Sequence, residues 1–172
     1  MQRKTLSPII MAALMTAALV LPSTAFAHGG KTQLPPGLGQ PYPSSSSIIV
    51  SKPRSEIASP LALCDTMWWY AYTSVYTNSG QLTGASNSQS RDINNHSYPC
   101  DIATIGVRNR LWWNNTEVGD TGMLSNSNNS DASAYNNFAS ASCGSGLAYS
   151  RGNHDFEQPG IATYQPTSDA SC

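Results

Sequence analysis

Residues 61–172 of this sequence predict an all-β fold, an antiparallel β-sandwich, from three observations. Apolar and polar residues alternate with a period of two, turn residues separate short aromatic or β-branched runs, and four widely spaced cysteines offer cross-links where a helical stripe is missing.

The chain opens with MQRKTLSPIIMAALMTAALVLPSTAFA, with Arg3 and Lys4 ahead of an apolar run from Ile9 to Leu21 and small residues ending at Ala25-Phe26-Ala27. This is the pattern of a secretory signal peptide over residues 1–27, cleaved after Ala27. The run falls short of the roughly 20 apolar residues a membrane-spanning helix needs. LPSTA (Leu21 to Ala25) lies inside the leader and LALC (Leu61 to Cys64) far beyond it, so neither has the position of an anchoring signal. The expectation is a secreted, extracellular chain with no membrane insertion.

Removal of residues 1–27 leaves 145 of the 172 residues, enough for one domain with a core. Seven Lys and Arg then stand against ten Asp and Glu, a net charge of −3, and no lysine follows Leu61. A basic track for nucleic acid or an anionic membrane is missing from this pattern. Residues 28–60 are dominated by Pro, Gly and Ser and predict a flexible arm, in which Ile48-Ile49-Val50 is the one apolar cluster fit to add an edge strand.

Thr66 to Thr77, TMWWYAYTSVYT, has strand composition. Asn78-Ser79-Gly80 is a turn, and Gln81 to Asp92 a weaker, serine-rich returning strand. In DIATIGVRNRLWWNN the odd positions Ala103, Ile105, Val107, Leu111 and Trp113 are apolar, whereas Thr104, Arg108 and Arg110 are polar, so one face is buried and the other wet. Asn114-Asn115 tolerates positive φ and marks a hairpin into Thr116-Glu117-Val118, and Gly119 and Gly122 mark the next turn. Ser125 to Cys143 predicts a loop and then an edge or polar strand. Ser145 to Gly152 predicts the last strand, ending at a Gly152-Asn153 turn.

Cys64, Cys100, Cys143 and Cys172 predict two disulfides in an oxidising compartment. Of three pairings, Cys64 with Cys100 and Cys143 with Cys172 is favoured. Each closes a loop of about 30 to 40 residues, worth roughly 3 to 4 kcal/mol in the chain-entropy model.

The order of a cysteine before an aromatic strand, a cysteine before IATIGVRNRLWWNNTEV, an Asn/Ser-rich segment and CGSGLAYSRGNHDF resembles a loose group of small secreted β-sandwich proteins of Gram-positive bacteria, mostly without assigned function. The likeness runs from about Cys64 to Gly160. It implies the fold and export and no activity.

Gly152-Asn153-His154-Asp155 resembles the metal-binding tetrapeptide of two-metal phosphoesterases, with Gly119-Asp120 upstream. Two metal ions need more imidazoles than this chain provides, since its histidines are His28, His96 and His154 and none follows His154. Cleavage after Ala27 would make His28 the N-terminus. It then resembles the copper-binding N-terminal histidine of lytic polysaccharide monooxygenases, with His154 or His96 completing the site. A copper protein or copper-dependent polysaccharide oxidase is thus the alternative function. Asp155 and Glu157 share a face if extended, a spacing common on solvated strands, and no GxSxG marks a nucleophile.

The aromatics carry the preferred reading, because neighbours on a strand point to opposite faces. If Trp69 and Trp113 join the core, Trp68, Tyr70, Tyr72 and Tyr76 form an outward stripe and Trp112 lies beside Arg108 and Arg110 on another outer face. A covering arm or loop would instead make the stripe a second small core. The expectation is a non-enzymatic binding module with no cofactor. Its ligand is a glycan first or an extracellular protein next, held by Trp68, Tyr70, Tyr72, Arg110 and Trp112.

Overall fold

Two-residue turns show how the alternation becomes a fold. Ser79 (φ 50°) and Gly80 (φ 77°) join residues paired as Asn78 with Gln81, and Asn114 (φ 47°) and Asn115 (φ 67°) join Trp113 with Thr116. Both central residues of each turn have positive φ, the geometry whose twist matches that of the flanking strands. The computed structural model describes residues 34–52, 64–161 and 163–172. The signal peptide expected at residues 1–27, His28 and residues 53–63 lie outside these.

The described strands are β1 (Ser45–Ser51), β2 (Thr66–Asn78), β3 (Gln81–Asp92), β4 (Ile102–Trp113), β5 (Thr116–Asp120), β6 (Leu124–Asn129), β7 (Asp131–Phe138), β8 (Ala148–Glu157) and β9 (Thr167–Ser171). They form two antiparallel sheets packed as a sandwich. Sheet A has the order β1-β2-β3-β7, and sheet B the order β5-β4-β8-β9 with β6 beside the first half of β4. Disulfides join Cys64 to Cys100, tying the start of β2 to the approach to β4, and Cys143 to Cys172, tying the C-terminus to the loop before β8. No helix among the described residues is long and apolar enough to cross a membrane.

The interior holds two apolar clusters. One contains Met67, Trp69, Ile105, Val107 and Phe156, the other Val75, Leu82, Leu111 and Ala148. A polar belt lies with them between the sheets. Thr73 Oγ1 meets Ser86 Oγ at 2.9 Å and Ser168 Oγ at 2.6 Å, and Asn109 Nδ2 donates to Ser86 Oγ at 2.7 Å and Ser150 Oγ at 2.8 Å. These groups satisfy one another, as buried polar groups must.

The belt explains where the strands depart from expectation. Gly152-Asn153 is no turn; it lies inside β8, because a Cβ at Gly152 would stand 2.2 Å from Thr73 Oγ1 and the inter-sheet hydrogen bonds require glycine. The serine-rich β3 is a buried central strand, since its inward Ser86, Ser88 and Ser90 face the belt side of the interior. Ser125 to Cys143 contains most of β6 and all of β7, two strands that lie in different sheets, and β9, TSDAS, was not expected because four small polar residues and one alanine carry no apolar alternation.

In the described part of the arm, the edge strand expected at Ile48-Ile49-Val50 is present as β1 and longer than expected, and residues 38–42 ahead of it are anchored to the domain. β1 pairs along its whole length with β2, from Ser45 opposite Tyr72 to Ser51 opposite Thr66. Ahead of it, Arg151 donates to the Leu38 carbonyl at 2.8 Å and the Gln40 carbonyl at 3.2 Å, and the Tyr42 N–H donates to Asp169 Oδ2 at 2.8 Å. A buried arginine offers more donors than its carboxylate partner accepts, and backbone carbonyls take the remainder.

Candidate functional site: the outer face of sheet A

β2 sends Met67, Trp69, Ala71, Thr73 and Val75 inward and Trp68, Tyr70, Tyr72, Ser74 and Tyr76 outward, the period-two consequence of an extended backbone. The outward rings stack along the strand. Trp68 and Tyr70 lie 4.6 Å apart between centroids at 15°, and Tyr70 and Tyr72 5.4 Å apart at 29°. His96 extends the stack, 4.3 Å from Trp68 at 12°. The His96 loop is held by Asp92, whose carboxylate accepts from the N–H groups of Cys64, Asn94 and Asn95 at 2.9 to 3.1 Å. These bonds, the Cys64 bond foremost, hold its pKa below the usual carboxylate range.

Rings this close and this parallel cover one another's faces, so the middle of the stack offers edges and phenol hydroxyls to a ligand. Each such pair contributes roughly 0.5 to 1.5 kcal/mol beyond burial. Neither Tyr76 nor Tyr135 is stacked on another described ring, and they are 39% and 54% exposed. Tyr135 lies on β7 opposite the outward Ala85 of β3, which pairs in turn with Ser74 between Tyr72 and Tyr76. Tyr72 is pushed above the ordinary phenol pKa first by burial and then by Tyr135, Tyr70, Tyr76 and Asp131.

Register fixes the polar neighbours. Arg91, Gln89 and Asn87 of β3 lie beside Trp68, Tyr70 and Tyr72, and Asp131 and Ser133 of β7 lie beside Gln89 and Asn87. Arg91 Nη1 donates to Asp131 Oδ2 at 3.1 Å, and Ser133 Oγ donates to Asn87 Oδ1 at 2.6 Å. The surface thus carries aromatic rings beside amide, hydroxyl and carboxylate groups whose hydrogen-bonding capacity is partly unused. No family model, curated protein or solved structure matches this chain.

The structure brings together Trp68, Tyr70 and Tyr72 and separates them from Arg110 and Trp112, which lie on the outer face of sheet B. Trp112 does face outward there, as expected, but it is buried at 5% exposure and is not open to a ligand. The Arg110 guanidinium lies 5.1 Å over its ring and Tyr149 packs edge-on at 6.0 Å. Next to them Arg151 is held by Asp169 through two bonds of 2.7 Å and lies 5.1 Å over the Tyr42 ring. The carboxylate bond keeps the Arg151 pKa above its ordinary value. Burial, and then Asp169, pushes the Tyr149 phenol up as well.

His154, paired with His28 in the copper expectation, points inward. Its Nδ1 meets Ser88 Oγ at 2.9 Å and its Nε2 meets Ser168 Oγ at 2.7 Å, and burial lowers its pKa to about 4. Both nitrogens are occupied inside the sandwich, so the ring has no lone pair aimed at the surface. Among the described residues no group of three or more His, Cys, Asp or Glu could hold an ion. The flanking Asn153 and Asp155 do reach the surface, with Met123, Gln165 and Thr167, around a cleft of about 250 Å³. Its polar groups pair internally, Asn153 Nδ2 with Thr167 Oγ1 at 3.2 Å and Gln165 Nε2 with Asp155 Oδ1 at 3.1 Å.

His96 was read from sequence only as a candidate copper ligand and enters this face from the loop after β3; Tyr135, Gln89, Asn87 and Asp131 were missed from sequence. Tyr135 had a local signal, alternating with the buried Ala132 and Ala134. The others are placed by strand pairing across sheet A, which no local pattern displays.

Proposed function

We propose that this chain is a secreted, non-enzymatic binding module that takes an oligosaccharide on the outer face of sheet A. The observation that carries the reading is the exposed Tyr76 and Tyr135 beyond the Tyr72 end of the Trp68-Tyr70-Tyr72 stack, beside an amide and carboxylate row. Unstacked tyrosines offer faces to the C–H side of a sugar ring, and Gln89, Asp131 and the exposed Ser133 offer hydrogen-bond partners to its hydroxyls. The stack supplies rigidity: rings fixed against one another lose little entropy when a ligand arrives. The leader-like residues 1–27 and the two disulfides support export, and mass spectrometry of the exported protein should find His28 first.

The test is titration of the isotope-labelled, oxidised protein with a panel of soluble oligosaccharides. The expected result is saturable amide shifts confined to β2, β3 and β7, at least tenfold weaker with Tyr135→Ala. Shifts confined to the Asn153-Asp155 cleft would move the site to sheet B. No shift with any sugar, together with shifts on sheet A caused by an extracellular protein, would replace the glycan with a protein partner.

A further inference from the structure

β1 is the outermost strand of sheet A, and its hydrogen-bond parity is fixed at both ends. The Thr73 N–H donates to the Ser44 carbonyl at 2.9 Å and the Lys52 N–H donates to the Asp65 carbonyl at 2.8 Å, each extending the β1–β2 register by one residue. Hydrogen-bonded pairs alternate along an antiparallel ladder, so the even residues from Ser44 to Lys52 direct their backbone groups to β2. The odd residues Ser45, Ser47, Ile49 and Ser51 therefore direct theirs away from the sheet.

Edge strands are normally guarded by charge, proline, a bulge or a covering segment. β5 carries Glu117 and Asp120. β7 carries Asp131, whose carbonyl accepts from Asn126 Nδ2 of β6 at 2.8 Å. β9 carries Asp169, whose N–H donates to the Pro43 carbonyl at 3.2 Å. β6 also lacks charge, but its LSNSNN is polar apart from Leu124 at its start; β1 has the sequence SSSIIVS, three consecutive apolar residues, an unbroken register and no described segment paired on its open side. Its Ile49 is 64% exposed, more than any other large apolar residue described.

We propose that this edge pairs antiparallel with β1 of a second copy, about a two-fold axis through Ile49. In that register Ile49 faces Ile49, Ser47 faces Ser51, and on the inner side Ile48 faces Val50. Apolar residues meet apolar residues, serine meets serine, and Lys52 at the end of the ladder meets Ser46, so no like charges oppose each other, which is the self-complementarity an isologous interface requires. The facing odd residues are those with free backbone groups, so each pair exchanges two hydrogen bonds. A register centred on Ile48 makes one more such pair but sets Ile49 against Ser47 on both sides. The product is one continuous sheet in which the two β2 aromatic rows lie three strand spacings apart, about 14 Å, on a common surface. The pairing stands whatever that surface binds.

The test is sedimentation equilibrium of the exported, oxidised protein over a wide concentration range, with two variants. Ser47→Pro removes an N–H that points off the sheet and leaves the β1–β2 ladder intact; Ile49→Lys places like charges opposite each other. The wild type should reach twice the monomer mass, and both variants should weaken the dimer at least about tenfold with the dilute melting temperature unchanged. A third variant, Ile49→Cys, should cross-link through the introduced thiol alone, since paired Cα atoms about 5.5 Å apart suit a disulfide. A monomer at NMR concentrations overturns the proposal, as does a dimer that both variants leave intact.

Discussion

The two outer faces of this sandwich are built from similar residues and put to different use. Sheet A carries Trp68, Tyr70, Tyr72 and Tyr135 beside an Arg91–Asp131 pair; sheet B carries Trp112 and Tyr149 beside an Arg151–Asp169 pair. On sheet B, Leu38 to Tyr42 lie at Arg151 and the pair is almost wholly buried, at 6% and 5% exposure. On sheet A the pair stands at 14% and 46%, and Tyr135 is more than half exposed. A tryptophan on an outward strand position is therefore not yet a ligand-binding tryptophan; what packs on its ring decides, here Arg110 and Tyr149.

The largest effect is expected at the tryptophan of the closed face. Trp112→Ala should cost about 3 to 5 kcal/mol, measured by urea unfolding, because it empties a packed site. A loss below about 1 kcal/mol would show that sheet B is open after all. Asp169→Ala should cost a similar 3 to 5 kcal/mol by leaving Arg151 charged and buried without its carboxylate. It should also speed amide exchange at Tyr42, which donates to that carboxylate. If Tyr42 exchange does not change, Asp169 is not what holds the segment down.

Between the faces, His154 is a titratable group held in the interior by Ser88 and Ser168. Its imidazole takes up a proton near pH 6.5 when unfolded and at about 4 when folded, so protons favour the unfolded chain in that window. Stability should be level above pH 7 and fall by roughly 3 kcal/mol from pH 6.5 to 4, a slope that His154→Gln flattens. An unchanged slope in the variant would assign the acid sensitivity to other groups.

The open face should respond least. Asp131→Ala is expected to cost about 1 kcal/mol or less, since Arg91 keeps water and the carbonyls of Ser90 and Ser130 as partners. Tyr135→Ala should stay within about 0.5 kcal/mol of wild type while weakening the ligand. A larger loss of stability would mean that Tyr135 is packing rather than presenting its ring.

The β-sandwich, both disulfide pairings, the Asn114-Asn115 hairpin and the inward half of β2 were legible along the chain, because period two, turn chemistry and cysteine spacing are local properties. The outward stripe was legible as well, since Trp68, Tyr70 and Tyr72 must share a face wherever the strand sits. Local pattern failed where small polar residues serve the interior: β3 and β9 look like loop composition, yet Ser86 and Ser168 complete hydrogen bonds across the sheets. It failed again at Gly152-Asn153, where turn residues in sequence are a close approach in space.

By itself, then, the sequence determined which residues alternate and which cysteines lie at joinable distances. Only the tertiary structure decided which outward face stays open. Arg151 is far along the chain from Leu38 and Gln40, and the bonds among them exist only once β8 and β9 have placed the guanidinium beside Asp169. Burial of Trp112 goes with Tyr149, which β8 brings edge-on to its ring, and exposure of Tyr135 with the position of β7 at the edge of sheet A, where no further described strand pairs beyond it.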